Sequence, residues 1–185
     1  MTLQRLLSAL LLVVCAWTGY YLLDKHWEED VQVAPDAEKP LFTGNTVTNT
    51  SYNEAGLRSY QIDASYLEHF NQSGNTDFVD PVLWVYRDGD ETEWRISADK
   101  ARLDKDHVLQ MTGHVRVFNL LPQSALKVIQ TDNLRLDLIS KDFDTPDPVK
   151  ITGEHFENEG IGLKGNMDRS IATLLNNVKG RYEAL

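Results

Sequence analysis

The sequence predicts an all-β fold, an antiparallel sandwich or jelly roll of two sheets, preceded by one N-terminal transmembrane helix. Three observations predict it. The first is an internal repeat: Ile96-Ser97-Ala98-Asp99-Lys100-Ala101-Arg102-Leu103 returns as Ile129-Gln130-Thr131-Asp132-Asn133-Leu134-Arg135-Leu136. The run from Leu109 to Arg116 is likewise echoed from Val149 to Phe156, which aligns Thr112-Gly113 with Thr152-Gly153, and a weaker copy opens at Tyr60-Gln61-Ile62-Asp63-Ala64. Periods in this range mark units that cannot bury an apolar face alone. The two Thr-Gly pairs are expected to mark successive hairpins along one apolar track. The second observation is period-two alternation, and the third is an uncharged 18-residue run near the N-terminus.

That run, Leu6 to Leu23, has the minimum length of a membrane-spanning helix. Trp17, Tyr20 and Tyr21 cluster at its far end, where aromatic rings favour the headgroup level. The flanks favour an uncleaved anchor over a cleaved signal, because bulky Tyr20 to Leu23 follow the nearest small residues, Ala16-Trp17-Thr18. Arg5 precedes the span while Asp24, Glu28, Glu29 and Asp30 follow it, so the N-terminus is expected in the cytoplasm and the remainder outside. The organisation read from the chain is therefore 1–23 cytoplasmic start and transmembrane anchor, 24–40 charged tether with Pro35 and Pro40, and 41–185 β domain.

From Leu41 onward the apolar period is two. Val82, Trp84 and Tyr86 alternate with Leu83 and Val85, Val115 and Val117 with His114 and Arg116, and Leu134, Leu136 and Leu138 with Arg135 and Asp137. Asn71 to Asn75, Arg87 to Asp90, Asp104 to Asp106 and Thr145-Pro146-Asp147-Pro148 read as turns between strands. Ser170 to Val178 reads as a strand. The single cysteine, Cys15, excludes an intramolecular disulfide framework. A net charge of −10 argues against a nucleic-acid surface, which would carry a basic stripe.

Catalytic chemistry is hard to find. The five histidines (His26, His69, His107, His114, His155) stand at no recognised ligand spacing, so no metal or cofactor is expected. No Gly-x-Ser-x-Gly occurs, and Cys15 lies inside the apolar run. Asp99 and Asp132 leave a paired-acid glycan hydrolase open, although their repetition suits a structural role better. Phe78, Ile62, Trp84, Phe118, Phe156, Ile171 and Tyr182 fill a core on the simplest reading. Alternatively the two sheets stand apart and leave an apolar trough for acyl chains, each buried methylene contributing about 0.8 kcal/mol.

Ser51-Tyr52-Asn53-Glu54-Ala55-Gly56, Phe78-Val79-Asp80-Pro81-Val82-Leu83, Trp94 to Ala101, Thr131-Asp132-Asn133 and Gly160 to Asn166 together resemble the LptC family, the bitopic inner-membrane component of the lipopolysaccharide export bridge. The resemblance covers essentially the whole chain. It implies a twisted, open β-jelly roll in the periplasm that receives lipopolysaccharide from an inner-membrane ABC transporter and passes it to a soluble periplasmic bridge protein. The transmembrane helix and the N-terminal jelly-roll edge would meet the transporter, and the C-terminal edge the bridge protein. Phe78 would line the lipid groove, with Val47, Ile62, Trp84, Ala172 and Tyr182 beside it. Gly56 and Gly153 match glycines on which partner docking depends, at strand junctions where positive φ or close backbone approach excludes a side chain. The other classes are a membrane-tethered envelope hydrolase and a purely structural tether. Asp99→Asn separates the first of these: a conduit retains outer-membrane lipopolysaccharide in cells relying on the variant, whereas a hydrolase using Asp99 loses its activity with folding intact.

Overall fold

The structure, a computed structural model, describes residues 11, 13, 14, 16–18, 20 and 38–182. The chain divides between Ala37 and Glu38. Before that division the described residues are helical, and the Thr18 hydroxyl donates to the Val14 carbonyl at 2.8 Å. The expected span Leu6–Leu23 and tether 24–40 lie mostly outside the described residues, and among those described no helix is long and apolar enough to cross a membrane.

From residue 38 the regular structure is all strand: β1 Phe42–Tyr52, β2 Arg58–His69, β3 Thr76–Val79, β4 Val82–Arg87, β5 Glu91–Ser97, β6 Lys100–Leu103, β7 Val108–Asn119, β8 Leu126–Asp137, β9 Asp142–Gly153, β10 Phe156–Asn166 and β11 Ile171–Tyr182. Every pairing is antiparallel. β3 and β4 both pair with β2 and are halves of one strand broken at Asp80-Pro81; β5 and β6 both pair with β7 and are halves of another broken at Ala98-Asp99. Eleven strands with two such pairs joined make nine long ones, ordered in space as in sequence. The two expected sheets are thus one continuous meander, folded over on itself.

The fold runs along a crease that crosses every strand near its middle. Thr46 (φ 52°) in β1, Asp80 (φ 49°), Gly113 (φ 83°) and His114 (φ 46°) in β7, Gly162 (φ 77°) in β10 and Asn177 (φ 52°) in β11 take left-handed conformations there. In β2 and β8 the buried set changes parity instead, from Ala64 to Leu67 and from Thr131 to Leu134, so that the same strand faces inward on both sides of the crease. Leu83, Ile96, Val117 and Ile129 on one half-sheet and Phe78, Leu109, Leu136 and Leu163 on the other belong to a single buried cluster.

Two expectations need correction. Thr145-Pro146-Asp147-Pro148 is not a turn but lies within β9, at the crease. The ladders on both of its sides are interrupted there, between Gln130 and Arg135 on β8 and between Ile161 and Leu163 on β10, so the prolines fall where the regular pairing already breaks. Nor do the Thr-Gly pairs mark equivalent hairpins. Gly113 sits in the β7 crease with positive φ, whereas Gly153 ends β9 without it.

The β8–β9 turn is held by one carboxylate. Asp137 Oδ1 accepts the N–H groups of Ile139 at 2.8 Å and Ser140 at 2.9 Å. The Ser140 N–H foremost, with that of Ile139, holds the Asp137 carboxyl below its ordinary value against an opposing effect of burial. A depressed folded-state pKa gives stability that is present above the unfolded value of about 3.9 and lost as pH falls through the folded value. Asp137→Asn is therefore expected to lower the melting temperature at pH 7, with the difference from the parent shrinking as pH falls below about 3.9, measured by thermal unfolding across that range.

Candidate functional site

The inner face of the creased sheet carries most of the side chains expected to meet lipid. Phe78 projects inward from β3, opposite Leu67 on β2 and Ala101 on β6, and is 2% exposed. Ile62, inward on β2, is equally buried. Val47 on β1 lies opposite Ala64, and Ala172 on β11 lies opposite Gly165; both are half-buried and pack against the core. Tyr182 ends β11, 73% exposed, with its ring centroid 6.3 Å from that of Phe156.

Trp84 stands on the other face. Its strand neighbours Leu83 and Val85 are buried, so strand alternation sends the indole outward. There its Nε1 donates to Asp63 Oδ2 at 2.9 Å, Gln61 donates to Asp63 Oδ1 at 2.9 Å, and the Arg95 guanidinium lies 5.9 Å from the indole and 4.5 Å from the Phe118 ring. The structure therefore brings Val47, Ile62, Phe78 and Ala172 to one face and leaves Trp84 behind them.

The core is dense in the middle of the meander and thins towards its ends. On β11 Ala172 and Leu174 are half-buried while Ile171, Leu175 and Val178 are about half exposed; on β1 Phe42 and Tyr52 are exposed as well. Among the described residues β1 pairs only with β2 and β11 only with β10, so each presents an unpaired backbone edge. The β1 edge is not blunted in the usual way, with no charged residue or proline from Phe42 to Tyr52, and β11 has none from Ile171 to Val178, its only charges being Lys179 and Arg181 near its end.

The two singled-out glycines act through different physics. Gly56, in the β1–β2 turn, has φ 77° and open space around the position a Cβ would take, so its requirement is conformational. Asn53 Oδ1 closes that turn by accepting the N–H groups of Ala55 and Leu57, each at 3.0 Å. Gly153 has an ordinary φ, but a Cβ would overlap the Phe156 ring, which packs over the glycine. Phe156 in turn touches Tyr182, which chains Gly153 to the β11 edge. Gly165, beneath the Phe143 ring and the Ile171 carbonyl, supports the same edge from its other end. It lies in Gly160 to Asn166, one of the stretches that carry the family resemblance.

Chemistry is sparse. Among the described residues no three of His, Cys, Asp and Glu gather closely enough to hold a metal ion. Asp99 Oδ2 lies 2.8 Å from His114 Nδ1, both exposed at the crease. An open concavity of about 920 Å³ runs along one side of the crease from β7 to β11, and Asp132, Arg116, Lys150, Glu159 and Lys179 are among its lining. Lys150 there is engaged by Glu157 at 2.8 Å and Glu159 at 3.9 Å, and its contact foremost, opposed by burial, holds the Glu157 carboxyl below its ordinary value. The arrangement is a mixed-charge outer surface, distinct from the apolar inner face.

Fold and site define a sheet module with an apolar interior and two edges free to continue the ladder. The chain belongs to the LptC-related lipopolysaccharide-assembly family, which it matches over residues 8–183. It is 30% identical over 172 residues to the lipopolysaccharide export system protein LptC of Escherichia coli K12, covering 93% of this chain and 89% of that protein. It is 28% identical over 189 residues to LptC of Haemophilus influenzae, covering 93% and 90%. The fold is also similar to that of LptH, the LptA-homologous periplasmic component of the lipopolysaccharide transport device of Pseudomonas aeruginosa, with a TM-score of 0.53 and 12% identity over 68% of this chain and 95% of that one.

The chain of contacts from Gly153 to Tyr182 gives a direct expectation. Gly153→Arg should expel the Phe156 ring and loosen the end of β11, at an overpacking cost of about 1–3 kcal/mol. Limited trypsin digestion should then cut faster at Lys179 and Arg181 while cleavage at Arg102 in β6 is unchanged.

Proposed function

We propose that this chain is a non-enzymatic conduit in lipopolysaccharide export, anchored in the inner membrane by its N-terminal segment with the β domain in the periplasm. Membership of the LptC-related family makes lipopolysaccharide export the setting. The observation that carries the rest is the creased meander itself: one apolar interior runs the length of the sheet and ends at two long, unpaired strand edges, the first without charge and the second charged only at Lys179 and Arg181. In this reading β1 continues the ladder of the inner-membrane ABC transporter's periplasmic part, and β11 accepts the first strand of the soluble bridge protein, each by strand addition. Gly56 and Gly153 act on these two edges, the first by shaping the turn beside β1 and the second by seating Phe156 under Tyr182.

Val47, Ile62, Phe78, Ala172 and Tyr182 form the acyl path across the inner face. Binding comes from apolar burial, at about 0.8 kcal/mol per methylene. A chain of net charge −10 repels the phosphates of the substrate, which favours release over retention. Phe78 and Ile62 are so deeply buried that acyl chains reach them only when the half-sheets part.

A photo-cross-linking residue in place of Phe78, in cells carrying the full chain, tests the reading. An adduct with lipopolysaccharide that depends on ATP hydrolysis by the transporter is expected. Adducts at Trp84, on the outer face, should be weaker by about tenfold or more, since side chains on opposite faces of a strand see different surroundings. Equal adducts at both positions, or none at Phe78, would overturn it.

A further inference from the structure

The two half-sheets are joined along the crease by the strands themselves, but on the opposite side each ends in its own hairpin turns. Lys141 bridges that side. It closes the β8–β9 turn at the end of one half-sheet, and Ser59 is the second residue of β2 at the far end of the other. Lys141 Nζ donates to Ser59 Oγ at 3.3 Å, across 82 residues of sequence, and stands 5.6 Å from the centroid of the Tyr60 ring.

Everything about this lysine is costly, which makes its placement informative. Its φ is 61°, a conformation that glycine or asparagine adopts at less cost. The residue is only 8% exposed, and none of the ion pairs among the described residues includes it. Burial pulls its amine below the ordinary lysine range, with Asp168 and Asp137 opposing that pull. Against these costs stand one long hydrogen bond to a hydroxyl and one cation–π contact. Such a bridge holds, but weakly. The surrounding turn is rigid: the Lys141 N–H donates to the Asp137 carbonyl at 2.9 Å, and the Lys141 carbonyl accepts from Met167 at 3.0 Å. The side chain alone can therefore swing without unmaking the turn.

What lies behind the bridge is also unusual. Tyr60, Val85, Trp94 and Asn119 form a cross-strand row over β2, β4, β5 and β7, the inward layer next to the open side. Trp94 Nε1 and Asn119 Nδ2 in that row are buried donors without an acceptor. Unpaired buried N–H groups on facing residues suit the ester and amide carbonyls where acyl chains join a sugar headgroup.

We propose that Lys141 is a latch on the open side of the sandwich: docked on Ser59 and Tyr60 it holds the half-sheets closed, and its release admits the acyl chains of an anionic lipid sideways. This rests on the conduit reading and adds to it the control of lateral entry. Trp94 and Asn119 then hold the acyl carbonyls at the rim, while the chains reach Ile62 and Phe78.

The test uses the full chain in detergent micelles with lipid A bearing a fluorescent acyl label. Lys141→Met keeps the apolar stem and removes the ammonium; Ser59→Ala removes its acceptor. Both should raise the uptake rate and lower the apparent Kd by about fivefold, because a larger fraction of the protein is open. Amide hydrogen exchange without lipid should rise at Tyr60 and Leu138 and stay unchanged at Ile96. In the converse experiment, Ser59→Cys with Lys141→Cys, joined by a thiol-cleavable bismaleimide, should slow uptake about tenfold until the linker is cut. Unchanged uptake by both single variants and by the linked protein, with lipid still bound by the parent, overturns the latch and leaves the conduit standing. No lipid bound by the parent overturns the conduit and the latch with it. If Lys141→Met fails to fold, Ser59→Ala and the linked pair still decide.

Discussion

The structure depends on keeping a hydrogen-bonded ladder continuous across a sharp fold. Nine long strands must all bend at the same level, or a buried carbonyl or N–H is left without a partner. The breaks in β3/β4 and β5/β6 show how this is done. The Asp80 N–H donates to the Asp99 carbonyl at 2.9 Å, Asp99 N–H to the Gly113 carbonyl at 2.9 Å, and Ala98 N–H to the Pro81 carbonyl at 3.3 Å. The ladder steps over the crease through these three bonds. Gly113 has no side chain because Asp99 occupies the place a Cβ would take. On β8 and β9 the Asn133 side chain donates to Asp147 at 2.6 Å where the backbone ladder is interrupted. Left-handed conformations at threonine, aspartate, histidine and asparagine each cost about 1–2 kcal/mol, and the buried cluster on either side of the crease offsets them.

That constraint also sets how the core is distributed. A meander has neighbours on both sides in its middle and on one side at its ends. Leu83, Ile96, Leu109, Leu136 and Leu163 in the central strands are sealed completely, whereas Ile171, Leu175, Val178, Phe42 and Tyr52 on the terminal strands are exposed. An edge with exposed apolar residues and little charge to deter pairing is a liability in a solitary protein. The gradient from sealed middle to bare ends leaves β1 and β11 open to the strand addition proposed above.

The outer face answers to other rules. Arg102 reaches Asp77 with two short bonds, 2.6 and 2.7 Å; Arg87, on the inward parity of Leu83 and Val85, instead grips the buried Glu93 at 2.6 Å, at the bulge beside Trp94. In each pair the hydrogen bond to the carboxylate, ahead of the charge attraction itself, holds the guanidinium above its already high ordinary value. The Arg102–Asp77 pair, with the Trp84 cluster, ties neighbouring strands on the outer face. The division of labour is by face: polar pairs fix register outside, and apolar volume fills the space within.

All-β class, period-two strands, the turns at Asn71–Asn75 and Asp104–Asp106, and the backbone demands at Gly56 and Gly153 were legible in the sequence, because each follows from local chemistry. Alternation reads out strands, and positive φ or a close approach reads out glycine. The sequence was silent where two local readings coincide. Val82 to Tyr86 is apolar at every position, so only the tertiary fold decides that Leu83 and Val85 face inward and Trp84 outward. Thr145 to Pro148 signals an interrupted ladder, and an interrupted ladder is the same locally whether the chain turns or a sheet creases. The seating of Phe156 on Gly153 and the reach of Lys141 to Ser59 were invisible for a simpler reason. They are contacts made in space, and nothing in the residues themselves names the partner until the sheet folds and brings it there.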